Sequence, residues 1–307
     1  MRIAIMGAGA LGGYFGARLH QAGQDVTLIA RGAHLGAIQA EGLYVDSPNG
    51  DAHLKDIKAT DDPSSVGVVD CVLFFVKNYD LADALAQAAP MIGPDSFVAT
   101  FQNGITAPWV AAEAYGSHRV LGGAAWTPGY IEAPGRIKHT DTKDTLSFGS
   151  LSTEGKKYEQ ALFEVFKQAG TRPAIAENIK SALWTKFVML GATSAVSTLT
   201  RLTFGEINQG PETVELMRQA TNEAAEVARA VCPDLPASLA VDQFGFYNSI
   251  DGQVRASMCT DILNGRKLEL DWFSGEITRA AREHGIATPV HDVALAALWP
   301  YRNGALN

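Results

Sequence analysis

The sequence predicts an α/β chain: a parallel, doubly wound sheet in the first half, followed by an all-helical second half. Three observations carry this. The first fifteen residues run from a short β-branched strand (Ile3, Ile5) through Gly7-x-Gly9-x-x-Gly12 into a helix-period stretch. Strand-like and helix-like segments then alternate as far as about residue 176. Beyond it strand signals stop and helical periodicity continues almost to the end. We therefore expect a Rossmann domain over 1–176 and a helical domain over 177–307, the chain being long enough to give each its own core.

Each glycine of the opening has a task. Gly7 turns the chain tightly, Gly9 lets the backbone approach a pyrophosphate with no Cβ in the way, and Gly12 lets the helix pack close to the strand. The helix over 11–22 stops at Gly23, and the freed N–H groups at its start form an anion site. The expected dinucleotide contacts are Gly7, Ala8, Gly9, Ala10, Leu11 and Gly12. A purely structural glycine-rich turn is the competing reading.

The second strand, over 24–30, selects the dinucleotide. An NAD site usually has an acid at the end of this strand for the ribose 2′-OH. Asp25 lies at its start, the wrong end. The chain leaves the strand as Ala30-Arg31-Gly32-Ala33-His34, and Arg31 is a permanently charged fork suited to a 2′-phosphate. The expected cofactor is NADP(H), with His34 as a weaker candidate neighbour; on the bland reading Arg31 is a solvated loop residue.

A helix over 33–40 ends at Gly42. The segments 43–45 and 53–57 flank an Asn49-Gly50 turn, which suggests a small inserted hairpin. Asp61-Asp62-Pro63 opens another short segment. The run 70–76 is continuously apolar, as a strand buried on both faces should be; it ends at Lys77-Asn78-Tyr79, ahead of a helix over 81–89. The strand 96–101 ends at Gln102-Asn103-Gly104-Ile105. Ligands of such sheets bind beyond the carboxyl ends of the strands, which makes Lys77 and Asn103 candidates rather than merely solvated loop residues. A strand over 120–125 follows. The Gly/Pro-interrupted stretch 126–145 should carry antiparallel strands around 136–139 and 145–148, and a helix over 153–169 stops at Gly170.

In the helical half, the spacing predicts helices over 179–197 and 211–230. A helical region over 238–263 is closed by Asn264-Gly265, and a helix over 269–284 is stopped by Gly285. A last helix to about residue 299 has Thr288 as N-cap and Pro289 in its first turn. The substrate is expected between the two domains. Two clusters stand out. Lys186 sits in a strongly apolar helix beside Trp184, and burying an ammonium lowers its pKa and makes it a usable proton donor. Ser257 and Asp261 share a helical face, and Glu269 would begin the next helix near whatever Ser257 faces. On the bland reading Lys186 snorkels, Asp261 and Arg266 pair on the surface, and Glu269 is a first-turn acid.

Bulk properties narrow the classes. Hydrophobic content of 47% and charged content of 19% fit an ordinary globular protein, and a net charge of −8 argues against a nucleic-acid surface or polybasic membrane patch. Cys71, Cys232 and Cys259 have neither zinc nor redox spacing and read as reduced thiols, so a cytoplasmic protein without metal is expected. No stretch is apolar and long enough to span a bilayer, and no signal peptide is expected before a strand that starts at residue two. The apolar faces over 241–247 could form a homodimer interface, although core packing accounts for them equally well.

The motifs taken together resemble the family of ketopantoate reductases (2-dehydropantoate 2-reductases). The carriers are Gly-Ala-Gly-Ala-Leu-Gly at the start, Ala30-Arg31, Val76-Lys77, Gln102-Asn103-Gly104, Leu183-Trp184-x-Lys186, and Ser257-Met258-x-x-Asp261 through Gly265-Arg266, Glu269 and Asp271. The resemblance runs the length of the chain. It implies that NADPH delivers a hydride to the C2 carbonyl of a 2-oxo acid substrate, in pantothenate biosynthesis where that substrate is ketopantoate. It also implies that Lys186 is the general acid and Glu269 its acidic partner. Asn103 and Ser257 would hold substrate and nicotinamide, Lys77 would line the same site, and Arg31 would bind the 2′-phosphate.

One departure matters. The family resembles itself in having asparagines four and eight residues beyond the lysine, where this chain has Leu190 and Ser194. Leucine donates no hydrogen bond, and Ser194, or Thr193 beside it, could substitute only in part. A more apolar 2-oxo acid, another ketone or an imine is therefore an alternative acceptor, and an NADP(H)-binding sensor without turnover is the non-catalytic one.

Overall fold

A computed structural model describes residues 1–305. The chain divides into two compact units, Met1–Gln102 with Thr106–Ile179, and Asn103–Ile105 with Lys180–Asn307.

The first unit begins β1 (Arg2–Met6), α1 (Ala10–Gln21), β2 (Asp25–Ile29), α2 (Gly32–Glu41), β3 (Leu43–Asp46), β4 (Ala52–Leu54) and β5 (Lys58–Thr60). It continues with β6 (Val69–Phe74), α3 (Leu81–Ala88), β7 (Ile92–Thr100), α4 (Ala107–Tyr115) and β8 (Val120–Trp126). Last come β9 (Gly129–Ala133), β10 (Arg136–His139), β11 (Thr145–Ser150), α5 (Lys156–Gln168) and β12 (Arg172–Ile175). The main sheet has the order β12-β11-β8-β7-β6-β1-β2-β5. From β5 to β8 every neighbour is parallel; β11 runs antiparallel to β8 and parallel to β12.

Alternation explains the unbroken apolar runs. Ile3 and Ile5 of β1, with Cys71 and Leu73 of β6, face a core shared with α1 and α5, whereas Ala4, Met6, Val72 and Phe74 face one shared with α3 and α4. The predicted hairpin is present as the antiparallel pair β3–β4, but it belongs to a second sheet of order β4-β3-β10-β9.

The sequence did not mark β5, β9, β12 and α4. β9 is largely exposed and β12 is a short edge strand containing Pro173, so neither has the apolar period that signals a strand. α4 begins with a proline at its first turn, where the missing N–H costs nothing.

The second unit comprises α6 (Ile179–Thr200), α7 (Phe204–Ile207), α8 (Pro211–Val231), α9 (Leu239–Asn248), α10 (Ser257–Leu263), α11 (Ser274–His284) and α12 (Pro289–Leu298). α6 and α11 meet closely at Gly191, where an added Cβ would lie 2.5 Å from Ile277 Cδ1. Among the described residues no helix is long and apolar enough to cross a membrane, and the three cysteines are buried and free.

Three expectations are corrected here. The region 238–263 is two helices, because the intervening loop is pinned to the unpredicted α7 by Gly205 N–H donating to Gly252 O (2.8 Å) and Phe204 N–H to Val254 O (2.9 Å). Glu269 does not begin a helix. It precedes a 3-10 turn, Leu270–Trp272, and α11 starts only at Ser274, after Phe273 at φ −111°, ψ −97°. Thr288 makes no side-chain cap; the Glu223 carboxylate of α8 does that work instead, accepting from Val290 N–H (3.0 Å) and His291 N–H (3.2 Å). On α9, Val241 is 75% exposed, whereas Tyr247 is buried and donates its hydroxyl to Asn208 Oδ1.

Candidate functional site

The glycine loop of the first unit is built as its spacing implies, with one difference. Gly7 adopts φ +95°, where an added Cβ would meet Val76 Cγ1 and Val76 N at 2.8 Å. A Cβ at Gly12 would lie 2.1 Å from Gly7 O, so α1 can approach the loop only at a glycine. Gly9 is unlike both, because a Cβ there would meet nothing within 4 Å. No contact inside the protein demands that glycine, which fits a backbone kept bare for a bound group.

The amides of Gly7 and Ala8 are already engaged, donating to Ile29 O at 3.2 and 3.1 Å. The first intrahelical bond of α1 runs from Gly13 N–H to Gly9 O. The amides of Gly9, Ala10, Leu11 and Gly12 thus have no i−4 carbonyl and form the positive end of the helix, where a pyrophosphate could be held. Gly7 and Ala8 shape the loop rather than offer donors.

His34 holds this loop in place. Its Nε2 lies 2.9 Å from Ala8 O, while Nδ1 accepts from Gly135 N–H at 3.0 Å, so Nε2 carries the proton and donates. Burial pushes the imidazole pKa down, which keeps the ring neutral. His34, expected as a weaker candidate neighbour of the cofactor, clamps the glycine loop, a role invisible without the two backbone partners.

Arg31 is the residue before α2, and its side chain is 72% exposed. Its Nη2 donates to Asp80 Oδ2 at 3.4 Å, leaving most of the fork's donors to face outward. Asp80 is the neighbour sequence reasoning missed; only the parallel β1–β6 pairing could have pointed to it. Asp25 is confirmed at the wrong end of β2: it is tied to Lys58 (2.6 Å) and Arg2 (3.6 Å) beside the start of β1. Lys77, partly buried, caps the 3-10 turn Asn78–Asp80, its carbonyl accepting from Asp80 N–H at 3.0 Å.

In the second unit Lys186 is 6% exposed within α6, flanked by Trp184, Phe187 and Val188, all nearly inaccessible. Burial pushes its pKa from 10.5 down to about 7, the point at which amine and ammonium are both populated near neutrality. Its Nζ donates to Asn103 Oδ1 at 2.9 Å. Two candidates 83 residues apart in sequence are thus in direct contact. The snorkelling alternative fails on burial.

Leu190 and Ser194 follow Lys186 at one and two helical turns on the same face. Leu190 is partly exposed and Ser194 is 2% exposed. Thr193 cannot stand in for a missing amide, because its hydroxyl donates to Met189 O (2.8 Å) in its own helix.

Glu269 is 4% exposed and lies ahead of α11, which excludes the reading as a first-turn acid of that helix. Ser257 is exposed at the first position of α10, while Asp261, one turn on, is buried and 3.9 Å from Arg266. Ser257 and Asp261 thus share a face of α10 as expected, the serine at its exposed end and the aspartate at its buried one.

A sequence profile of the family described as "Ketopantoate reductase PanE/ApbA" matches residues 3–153, and the profile of its "C terminal" domain matches residues 178–301. A 2-dehydropantoate 2-reductase of Mesorhizobium japonicum is 30% identical, over 96% of this chain and 96% of that protein. The crystal structure of a PanE/ApbA family ketopantoate reductase from Ralstonia eutropha is similar with a TM-score of 0.89 at 30% identity, covering 98% of each chain. A D-mandelate dehydrogenase, solved with NADH and anilino(oxo)acetate, matches with a TM-score of 0.90 over 98% of each chain. At 24% identity that likeness is one of fold.

Proposed function

The chain belongs to the ketopantoate reductase family, a family of oxidoreductases, and from that premise we propose that it reduces the C2 carbonyl of a 2-oxo acid with NADPH. The observation that carries this reading is the contact of buried Lys186 with Asn103 (2.9 Å), with the lysine pKa lowered to about 7. A carbonyl becoming an alkoxide needs a proton donor whose pKa lies near working pH, fixed in one orientation.

When bound, NADPH supplies the hydride. Lys186 donates a proton from Nζ to the developing alkoxide oxygen. Asn103 accepts from the same nitrogen and sets its direction. The amides of Gly9 through Gly12 hold the pyrophosphate, Arg31 the 2′-phosphate, and Lys77 the nicotinamide half. Glu269 is the acidic partner of the lysine, and Ser257 a substrate contact. The reading favours the phosphorylated dinucleotide because Arg31, not an acid, follows β2.

The test is NADPH oxidation, followed by absorbance, against a panel of 2-oxo acids that includes ketopantoate. Lys186→Ala should lower turnover by at least ~10² while NADPH still binds. Unchanged turnover would remove the lysine from the mechanism. Cofactor binding without turnover of any acceptor would favour the sensor reading.

A further inference from the structure

We propose that the acceptor is a 2-oxo acid whose chain beyond C2 is wholly apolar, with no hydroxyl facing α6. This rests on the reductase reading above and specifies its substrate class.

Around Lys186, α6 presents little surface. From Leu183 to Thr198 every residue of α6 is buried except Thr185 and Leu190. The hydroxyl proton of Thr185 is spent on Ser181 O (2.8 Å) and that of Thr193 on Met189 O (2.8 Å). Neither has a second proton to donate. Leu190 is therefore the side chain that presents surface one turn beyond the proton donor, about 6 Å along the axis. Helical side chains lean toward the N-terminus, Lys186 and Leu190 alike, so Leu190 remains the neighbouring surface on the C-terminal side of the lysine.

Nor can the helix turn another face to the substrate. Gly191 is pressed on Ile277, so the backbone next to Leu190 is fixed against α11. The next polar group on that face, Ser194, is 2% exposed and lies a further turn along the helix. A substrate with its carbonyl oxygen at Lys186 Nζ and its chain running along α6 toward Leu190 meets leucine methyls there. A hydroxyl facing α6 there gives up water without gaining a partner from the helix, whereas a methyl gains by burial.

Two compounds isolate the claim. 3,3-Dimethyl-2-oxobutanoate and its 4-hydroxy derivative, ketopantoate, differ by one hydroxyl. NADPH oxidation should show kcat/KM higher for the deoxy compound by about ten- to a hundredfold. Leu190→Asn, which supplies a donor and acceptor at that point, should shrink or reverse the ratio, with the same thermal melt as wild type. Leu190→Ala, safer for folding, should keep the bias against the hydroxyl while improving bulkier apolar 2-oxo acids. Preference for ketopantoate by the wild type, or a ratio indifferent to both substitutions, overturns the proposal and leaves the reductase reading standing. Turnover of neither compound, nor of any 2-oxo acid, overturns both.

Discussion

Replacing Lys186 by methionine should abolish turnover and yet stabilise the protein. The lysine is 6% exposed, and burial brings its pKa from 10.5 to about 7. At about 1.4 kcal/mol per factor of ten, holding the charged form inside costs on the order of 5 kcal/mol. The loss of the bond to Asn103 offsets about 1 kcal/mol of the relief. A net gain of roughly 2–4 kcal/mol is expected at pH 7 and below. The sign follows from proton binding. Between about 7 and 10.5 the unfolded lysine is protonated and the folded one is not, so wild-type stability rises with pH across that window and is flat below it. The advantage of Lys186→Met should therefore be largest at pH 6.5, smaller at pH 8 and nearly gone by pH 10. Urea unfolding followed by circular dichroism at these three values measures it. A variant less stable than wild type at pH 6.5, or a difference that does not narrow on raising the pH, would refute the reasoning.

Two further substitutions separate the tasks of the glycine loop. Gly12→Ala drives a Cβ to 2.1 Å from Gly7 O and should leave little folded protein. Gly9→Ala meets nothing within 4 Å, at φ −69°, and should melt like wild type while binding NADPH at least ~10-fold more weakly by fluorescence titration. Equal binding by Gly9→Ala would mean that no pyrophosphate approaches there. Arg31→Ala should weaken NADPH by about 10- to 100-fold and NADH hardly at all, since only the former carries the group a guanidinium fork would grip. Equal losses for the two cofactors would take the 2′-phosphate away from Arg31.

The fold was legible where the sequence had to satisfy a period or a backbone constraint. β1, β6 and β7 read as apolar runs because both of their faces are buried, and the ends of α1, α5 and α11 read from Gly23, Gly170 and Gly285, all with positive φ. It was illegible where partners from elsewhere replaced a local signal. The start of α12 looked self-capped by Thr288, yet Glu223 supplies the acceptors from 67 residues away. The interruption between α9 and α10 follows from backbone bonds to α7, which no local propensity encodes.

The candidate site divides in the same way, and the division says which observation carries weight. The glycine spacing could be read at Gly7 and Gly12, because a tight turn and a close helix approach permit few residues. A lysine in an apolar helix, by contrast, has two sequence-level readings, snorkelling or buried, and they imply opposite chemistry. Burial and the Asn103 contact decide between them. Once buried, the lysine is a liability to folding, since a leucine or methionine would fill the same space without the desolvation penalty. His34 shows the converse. It was a weaker candidate neighbour of the cofactor because it follows Arg31, but both of its ring nitrogens are committed to backbone and its neutral form is the favoured one, so the fold alone accounts for it. A titratable group that the fold would be better without is the stronger sign of chemistry, and by that criterion Lys186 outranks His34.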